Sequence, residues 1–227
     1  MKTEVDADLL GRNNQERAAL AKLLEETAHV WESLRTLQRS RGSLKVLVAS
    51  CLPGEGASTV AVATALGLCR NFREEVVLVD ANLARPSLPS EAARTDEPGL
   101  VGALEGAAHL PSSLREVAGV PGLKLLGAGT AGGQHPGVFS APGAEQAWSQ
   151  LGEHPFTIID GGALMPGTSS HPLLERVDAV VLVARARSTP KARLEEAARL
   201  VESFGTHLLG VVLNRYSSDI PFSSNKR

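Results

Sequence analysis

The sequence is short of aromatic residues: five Phe, two Trp and one Tyr make up 4% of its 227 positions. Its core must therefore be built from Leu, Val and Ala, and no basic stripe with interleaved rings offers a surface for stacking bases. Cysteine is equally scarce. Cys51 and Cys69 are the only two, too few for a disulfide-stapled miniprotein and in keeping with a reducing compartment, although two suffice for a single pair. Charge of either sign is not in excess, with 23 Lys+Arg against 25 Asp+Glu and a formal net of −2. A strong electrostatic drive toward nucleic acid or an anionic membrane is thereby excluded. Nor is there a run approaching 18 apolar residues, the length of a bilayer span. The start, MKTEVDADLL, has acids where a signal peptide needs a basic start and an apolar run. These absences predict a soluble cytoplasmic protein with no nucleic-acid partner and no direct membrane insertion. The six histidines are scattered, with no i, i+4 pair to suggest a metal site.

What is present is apolar patterning, at 43% of the chain. The length suits one large domain, or one domain plus an arm. From Asn14 to about Gln38, the residues Leu20, Leu23, Leu24, Val30, Trp31, Leu34 and Leu37 recur in steps of three and four. That spacing marks one face of a helix. Residues 1–41 are read as a helical arm, packed on the domain or used for self-association or partner docking. Residues 42–216 are read as the domain and 217–227 as a polar tail.

Within the domain, apolar runs at Leu44–Ser50, Val76–Asp80, Leu123–Leu126, Phe156–Asp160, Ala179–Ala184 and Leu208–Leu213 read as strands. Several are continuously apolar, as strands buried on both faces should be. Helical stretches at Ser58–Arg70, Leu100–Leu104, Ala144–Leu151 and Pro190–Phe204 separate them. The order predicts an α/β fold, with a mostly parallel central sheet flanked by helices on both faces. Leu83–Pro155, with eight Pro, is looser and is expected to hold short helices around one strand.

The loop between the first strand and its helix carries the chemistry. Ser50 to Thr59 reads SCLPGEGAST. Glycines there let backbone N–H groups converge, and the helix N-terminus adds partial positive charge, a combination suited to phosphate. A full P-loop is G-x-x-x-x-G-K-[ST]. Gly56 and Ser58 fit it, but Cys51 replaces the first glycine and Ala57 the lysine. One lost lysine contact weakens binding by roughly 10- to 100-fold. It harms phosphoryl transfer more, because charge builds on the phosphoryl oxygens in the transition state. The simpler alternative is an ordinary Gly-rich turn. Cys51, just before a helix N-terminus, is also a candidate for a lowered thiol pKa.

Further motifs follow in order. PGEGAST (Pro53–Thr59), LVDANLARPS (Leu78–Ser87), TIIDGG (Thr157–Gly162), VDAVVLVARARSTP (Val177–Pro190) and GVVLNR (Gly210–Arg215) occupy the ends of the strands. Together they resemble the cytoplasmic domain of the bacterial tyrosine kinases (BY-kinases) of capsule and exopolysaccharide synthesis. That family belongs to the deviant-Walker P-loop class, which also contains the MinD and ParA ATPases. There the motifs usually read like PGEGKST, LIDADLRRPS, VIIDTPP, VDGVLLVVRAGRTP and GVVLNR. A lead-in helix with E-x-x-R-x-x-R, linked to ring-like association, is matched by Glu32 and Arg35, with Gln38 in place of the second arginine.

The resemblance implies a P-loop NTPase-like fold, with ATP or ADP and Mg²⁺ as ligands. Pro53, Gly54, Glu55, Gly56, Ala57, Ser58 and Thr59 would cradle the phosphates. Ser58, Asp80 and Asp160 would serve the metal, with Asp80 the base of an active enzyme, and Asn214 would lie near the adenine. It also implies a partner, the cytoplasmic part of a polysaccharide co-polymerase-type membrane protein, which would recruit the chain to the inner membrane. Self-association would run through Trp31, Glu32 and Arg35.

Four departures weigh against catalysis: Ala57, Asn82 for the second acid, Gly161-Gly162-Ala163 for the TPP, and a lone Tyr216 instead of a tyrosine cluster. The expectation is a pseudo-kinase, a regulatory or scaffolding subunit with weak or absent nucleotide binding. An active tyrosine autokinase, drawing its missing cation from Arg85, Lys45 or a neighbouring subunit, is the alternative. A MinD- or ParA-like positioning ATPase ranks last, because Leu52 stands where those proteins place their signature lysine.

Overall fold

The computed structural model describes residues 24, 28–86, 98–129, 136–165 and 170–215. Its elements in chain order are α1 (Ala28–Arg41), β1 (Leu44–Ser50), α2 (Ala57–Phe72), β2 (Val76–Asp80), α3 (Gly99–Leu104), α4 (Leu110–Ser113), β3 (Arg115–Glu116) and β4 (Leu123–Leu126). A 3₁₀ turn (Pro136–Ser140) precedes α5 (Ala144–Leu151), β5 (Phe156–Ala163), α6 (His171–Leu174), β6 (Ala179–Arg185), α7 (Lys191–Ser203) and β7 (His207–Asn214). The strands form one sheet in the order β3-β4-β2-β5-β1-β6-β7. Every pairing is parallel except that of β3 with β4.

Alternation along the strands feeds two cores. From β1, Val46 and Val48 face one side, where Val60, Leu66 and Leu68 of α2 cover them together with Trp31 and Leu34 of α1. Leu47 and Ala49 face the other, under Leu100, Trp148, Leu173 and Ala197 from α3, α5, α6 and α7. Both faces of β1, β2, β5 and β6 are buried, which is why these strands read as apolar runs.

The expected first helix is described over Ala28–Arg41 with Leu24 before it; residues 14–23 and 25–27 lie outside the described residues. The helix runs to Arg41 and stops at Gly42, whose φ of 84° ends it and whose N–H donates to the Gln38 carbonyl at 2.8 Å. Gln38, noted above as a departure, donates Nε2 to the Gly42 carbonyl at 2.9 Å. It fastens the turn into β1.

The same helix revises the expectation that Trp31 and Arg35 serve association. Trp31 is 2% exposed in the single chain. A Cβ added at Gly67 would lie 2.2 Å from its ring, so the indole rests directly on the α2 backbone. Arg35 pairs with Glu74 at 3.2 Å and lies 4.1 Å over the Phe72 ring. Both side chains are engaged within the chain, and Glu32 alone of the three is exposed.

Several other boundaries shift, most by a residue or two. β5 runs on to Ala163 as Gly161 bulges out of register with β1. Pro190 stands at the N-cap of α7, one position before its first turn. The looser segment holds a second strand, the two-residue β3, too short to leave a period in the sequence. The polar tail from Tyr216 lies outside the described residues.

Candidate functional site

The six parallel strands β4, β2, β5, β1, β6 and β7 end on one edge of the sheet, where an open α/β sheet binds its ligands. Ser58, Asp80, Asp160 and Asn214 all fall at this edge, at the start of α2 and toward the ends of β2, β5 and β7. From β1 the chain enters the loop through Ser50, whose Oγ donates to the Leu52 carbonyl at 2.9 Å. Gly54 (φ 83°) and Gly56 (φ 104°) take left-handed conformations, and Gly56 is the N-cap of α2. The left-handed turns bring the loop round onto the helix N-terminus. Ser58 and Thr59 then lie in the first turn of α2, with Ala57 buried beneath them.

Glu55 braces the loop from inside. Its side chain is buried, and one carboxylate oxygen accepts the Leu52 N–H at 2.8 Å while the other takes the Thr189 hydroxyl. Its carbonyl accepts Nδ2 of Asn214 at 2.7 Å. The fit is tight, since a Cβ at Gly56 would lie 2.1 Å from that amide nitrogen. Asn214, assigned above to the adenine ring, thus has its amide committed to the loop. Thr189 was missed as a site residue. A Ser/Thr one residue before a helix-opening Pro reads as turn chemistry, and only the fold shows it beside Glu55. Its Oγ1 also accepts the Arg185 N–H at 2.7 Å.

On the other flank, Asp80 and Asp160 face each other in register across β2 and β5. Both are buried. Oδ1 of Asp80 accepts the Asn82 N–H and Oδ1 of Asp160 accepts the Gly162 N–H, each at 3.1 Å. Asn82 packs on Gly162, where a Cβ would lie 2.6 Å from its Cγ. Two of the sequence departures are therefore one packing solution: the amide fills space that a side chain at 162 would need.

Of the two surrogate cations within the chain, Lys45 is misplaced. It sits at the start of β1, five residues and roughly 16 Å of strand from Ser50, where its N–H donates to Asp178 at 2.7 Å. Arg85 is exposed on the ligand edge. The thiol expectation also changes. Burial, reinforced by the Glu55 carboxylate, pushes Cys51 up to about 11, and burial pushes Cys69 up to about 12. Both thiols are free and buried, which removes the reactive-thiolate reading.

The donor set suits a Mg-nucleotide. Mg²⁺ prefers a few hard oxygen ligands, several waters and substrate phosphates, and Ser58, Asp80 and Asp160 would offer oxygens of that kind. Among the described residues, no three His, Cys, Asp or Glu gather into a metal site of their own. Also among them, no helix is long and apolar enough to cross a membrane.

Sheet order and connectivity define the class: an α/β protein with a mostly parallel sheet and a P-loop NTPase-like fold. Within that class, the chain is similar in fold to the cytoplasmic domains of bacterial tyrosine kinases. The VpsO kinase domain superposes with a TM-score of 0.78 and 24% identity, covering 89% of this chain and 98% of that one. The BceF tyrosine kinase domain gives 0.72 and 21%, covering 84% and 76%. MinD with Mg-ADP from Pyrococcus horikoshii OT3 gives 0.64 and 20%, covering 77% and 71%. In sequence, the succinoglycan biosynthesis transport protein ExoP of Rhizobium meliloti (strain 1021) is 26% identical over 174 residues. That match covers 75% of this chain and 22% of ExoP, so the chain spans about a fifth of that relative. No family model matches.

Proposed function

We propose that this chain is a BY-kinase-like pseudo-kinase, a cytoplasmic regulatory or scaffolding subunit in exopolysaccharide or capsule biosynthesis and export. It binds ATP or ADP weakly and turns ATP over slowly or not at all. The observation that carries the reading is a braced, glycine-turned phosphate loop with Ala57 at the lysine position. Backbone amides and Ser58 remain to hold phosphates, while the charge that would stabilise a departing phosphoryl group is missing. Ser58, Asp80 and Asp160 would hold Mg²⁺, which would supply charge neutralisation between the phosphates. The similarity to ExoP supports the polysaccharide setting, with the cytoplasmic part of a co-polymerase-type membrane protein as partner.

The active autokinase stands as the second reading because Asp80 and Asp160 are intact and in register. Calorimetry with ATP and ADP, with and without Mg²⁺, alongside a turnover assay, separates the two. Weak binding without turnover supports the pseudo-kinase. Submicromolar Mg-ATP affinity together with steady turnover would replace it by the autokinase.

A further inference from the structure

The two edges of the sheet are unequal. β3 closes one side with two residues, whereas β7 forms the other with eight and has no outer partner strand among the described residues. A long open edge presents a row of backbone donors and acceptors ready to pair, and soluble proteins cover or blunt such edges. This edge also carries apolar surface. Val211 is 45% exposed and Leu213 51%, although their register partners on β6, Leu182 and Ala184, are buried.

The backbone decides which groups are open. Ala186 N–H donates to the Asn214 carbonyl at 2.9 Å, so the polar groups of Asn214 face the β6 side. By alternation, those of Leu213 and Val211 point away from β6. The register with β6 shifts at Leu209, which leaves Gly210–Asn214 as the regular stretch. The open site is thus a short one, with two apolar side chains two residues apart on one face. A second copy's β7 would have to find this stretch from solution.

The sequence supplies a segment of matching length and pattern much nearer. Beyond Arg215 it continues YSSDIPFSSNKR, residues 216–227, outside the described residues. Arg215 itself has a φ of 56°, the left-handed conformation of turns. Ile220 and Phe222 are two residues apart, as are Val211 and Leu213. A hairpin connection of residues 215–218 sets Ile220 opposite Leu213 and Phe222 opposite Val211 on the same face. A connection one residue longer or shorter would send both to the wrong face. Pro221 then falls where its missing N–H points away from β7, the position an edge strand allows to proline.

We propose that Asp219–Phe222 add to β7 as an antiparallel edge strand, covering Val211 and Leu213 and ending the sheet on a proline-blunted edge. The short tether holds the segment at roughly millimolar effective concentration, so one apolar pair and a few backbone bonds suffice. The inference is independent of nucleotide binding. It makes residues 215–218, Tyr216 among them, the connection of a hairpin.

The test compares wild type with an Ile220→Ser/Phe222→Ser variant and with insertions of one and of two serines after Ser218. All the changes lie beyond the described core, so the fold is secure. Native-state hydrogen exchange is read at the Val211 and Leu213 amides at several protein concentrations. In wild type both amides are expected to be protected, independently of concentration. Exchange should quicken about five- to tenfold in the serine variant and in the single insertion, the factor that one or two net hydrogen bonds give. The two-serine insertion restores the face and should restore protection. Wild-type amides that exchange as fast as an open chain overturn the proposal. Protection that survives both the serine variant and the single insertion also overturns it, and protection that grows with concentration would assign the edge to a second copy instead.

Discussion

At the scale of single residues, Ala57 and the two cysteines yield the sharpest expectations. Ala57 is 4% exposed at the first position of α2, so a longer stem there must first displace core neighbours. Ala57→Met carries a comparable stem without charge and isolates that packing cost. Ala57→Lys is expected to bind Mg-ATP at least a few-fold more tightly than Ala57→Met by titration, because only the ammonium reaches for phosphate. Equal affinity in the two would show that the loop is no phosphate cradle. Adding Asn82→Asp, an isosteric change in the space over Gly162, should make binding more dependent on Mg²⁺. The thiols give a pH expectation. Folded Cys51 and Cys69 titrate near 11 and 12, above their ordinary value of 9.0. Groups raised in the folded state contribute stability that is complete below pH 9 and is lost as pH climbs through 11 to 12. A Cys51→Ala/Cys69→Ala protein should therefore lose less Tm than wild type between pH 9 and 11 in a thermal scan, whatever its starting Tm. An identical slope would contradict the assignment.

At the scale of elements, two contacts hold the site's frame. α1 is pinned by Trp31 against Gly67, with Arg35 closing over Phe72 and Glu74. Removing a buried indole costs about 3–5 kcal/mol, so Trp31→Ala should lower the denaturation midpoint strongly while leaving the solution mass per protomer unchanged. A drop in mass with little loss of stability would return the helix to an association role. The second contact is the brace. Thr189→Val keeps the shape of the side chain and deletes the hydroxyl that donates to the buried Glu55 carboxylate. About 1–3 kcal/mol of stability should go with it, and native-state hydrogen exchange should quicken at the Leu52 amide, which Glu55 also holds. Unchanged exchange there would mean that the loop keeps its form without Thr189.

At the scale of the whole molecule, the sequence was most informative where one physical cause acts alone. Continuous apolar runs such as AVVLVA mark strands covered on both sides, and six of the seven strands were legible as apolar runs, the half-exposed edge strand β7 among them. The two-residue β3 was not, because its pairing comes from β4 and leaves no local pattern. The motif order placed Asp80, Asp160, Ser58 and Asn214 on one edge, yet the use of Asn214 and Thr189 against Glu55 is a tertiary contact between segments more than a hundred positions apart. Sheet order also decides what the lone tyrosine can do. Asp80 ends β2 and Asn214 ends β7, four strand spacings apart, or roughly 19 Å. Two residues of fully extended chain add at most about 7 Å beyond Asn214 and a tyrosine side chain roughly as much again, a bound that still falls short of the chain's own Asp80. A second copy would have to bring its site to the end of β7, with no more than those two residues of slack. Incubation of the purified protein with Mg-ATP alone is therefore expected to leave Tyr216 unmodified by mass spectrometry. The same should hold for the Ala57→Lys/Asn82→Asp double variant, which regains binding without bringing an acceptor to Asp80. Stoichiometric phosphotyrosine at position 216 in wild type would mean that a second copy reaches it, and would revive the autokinase.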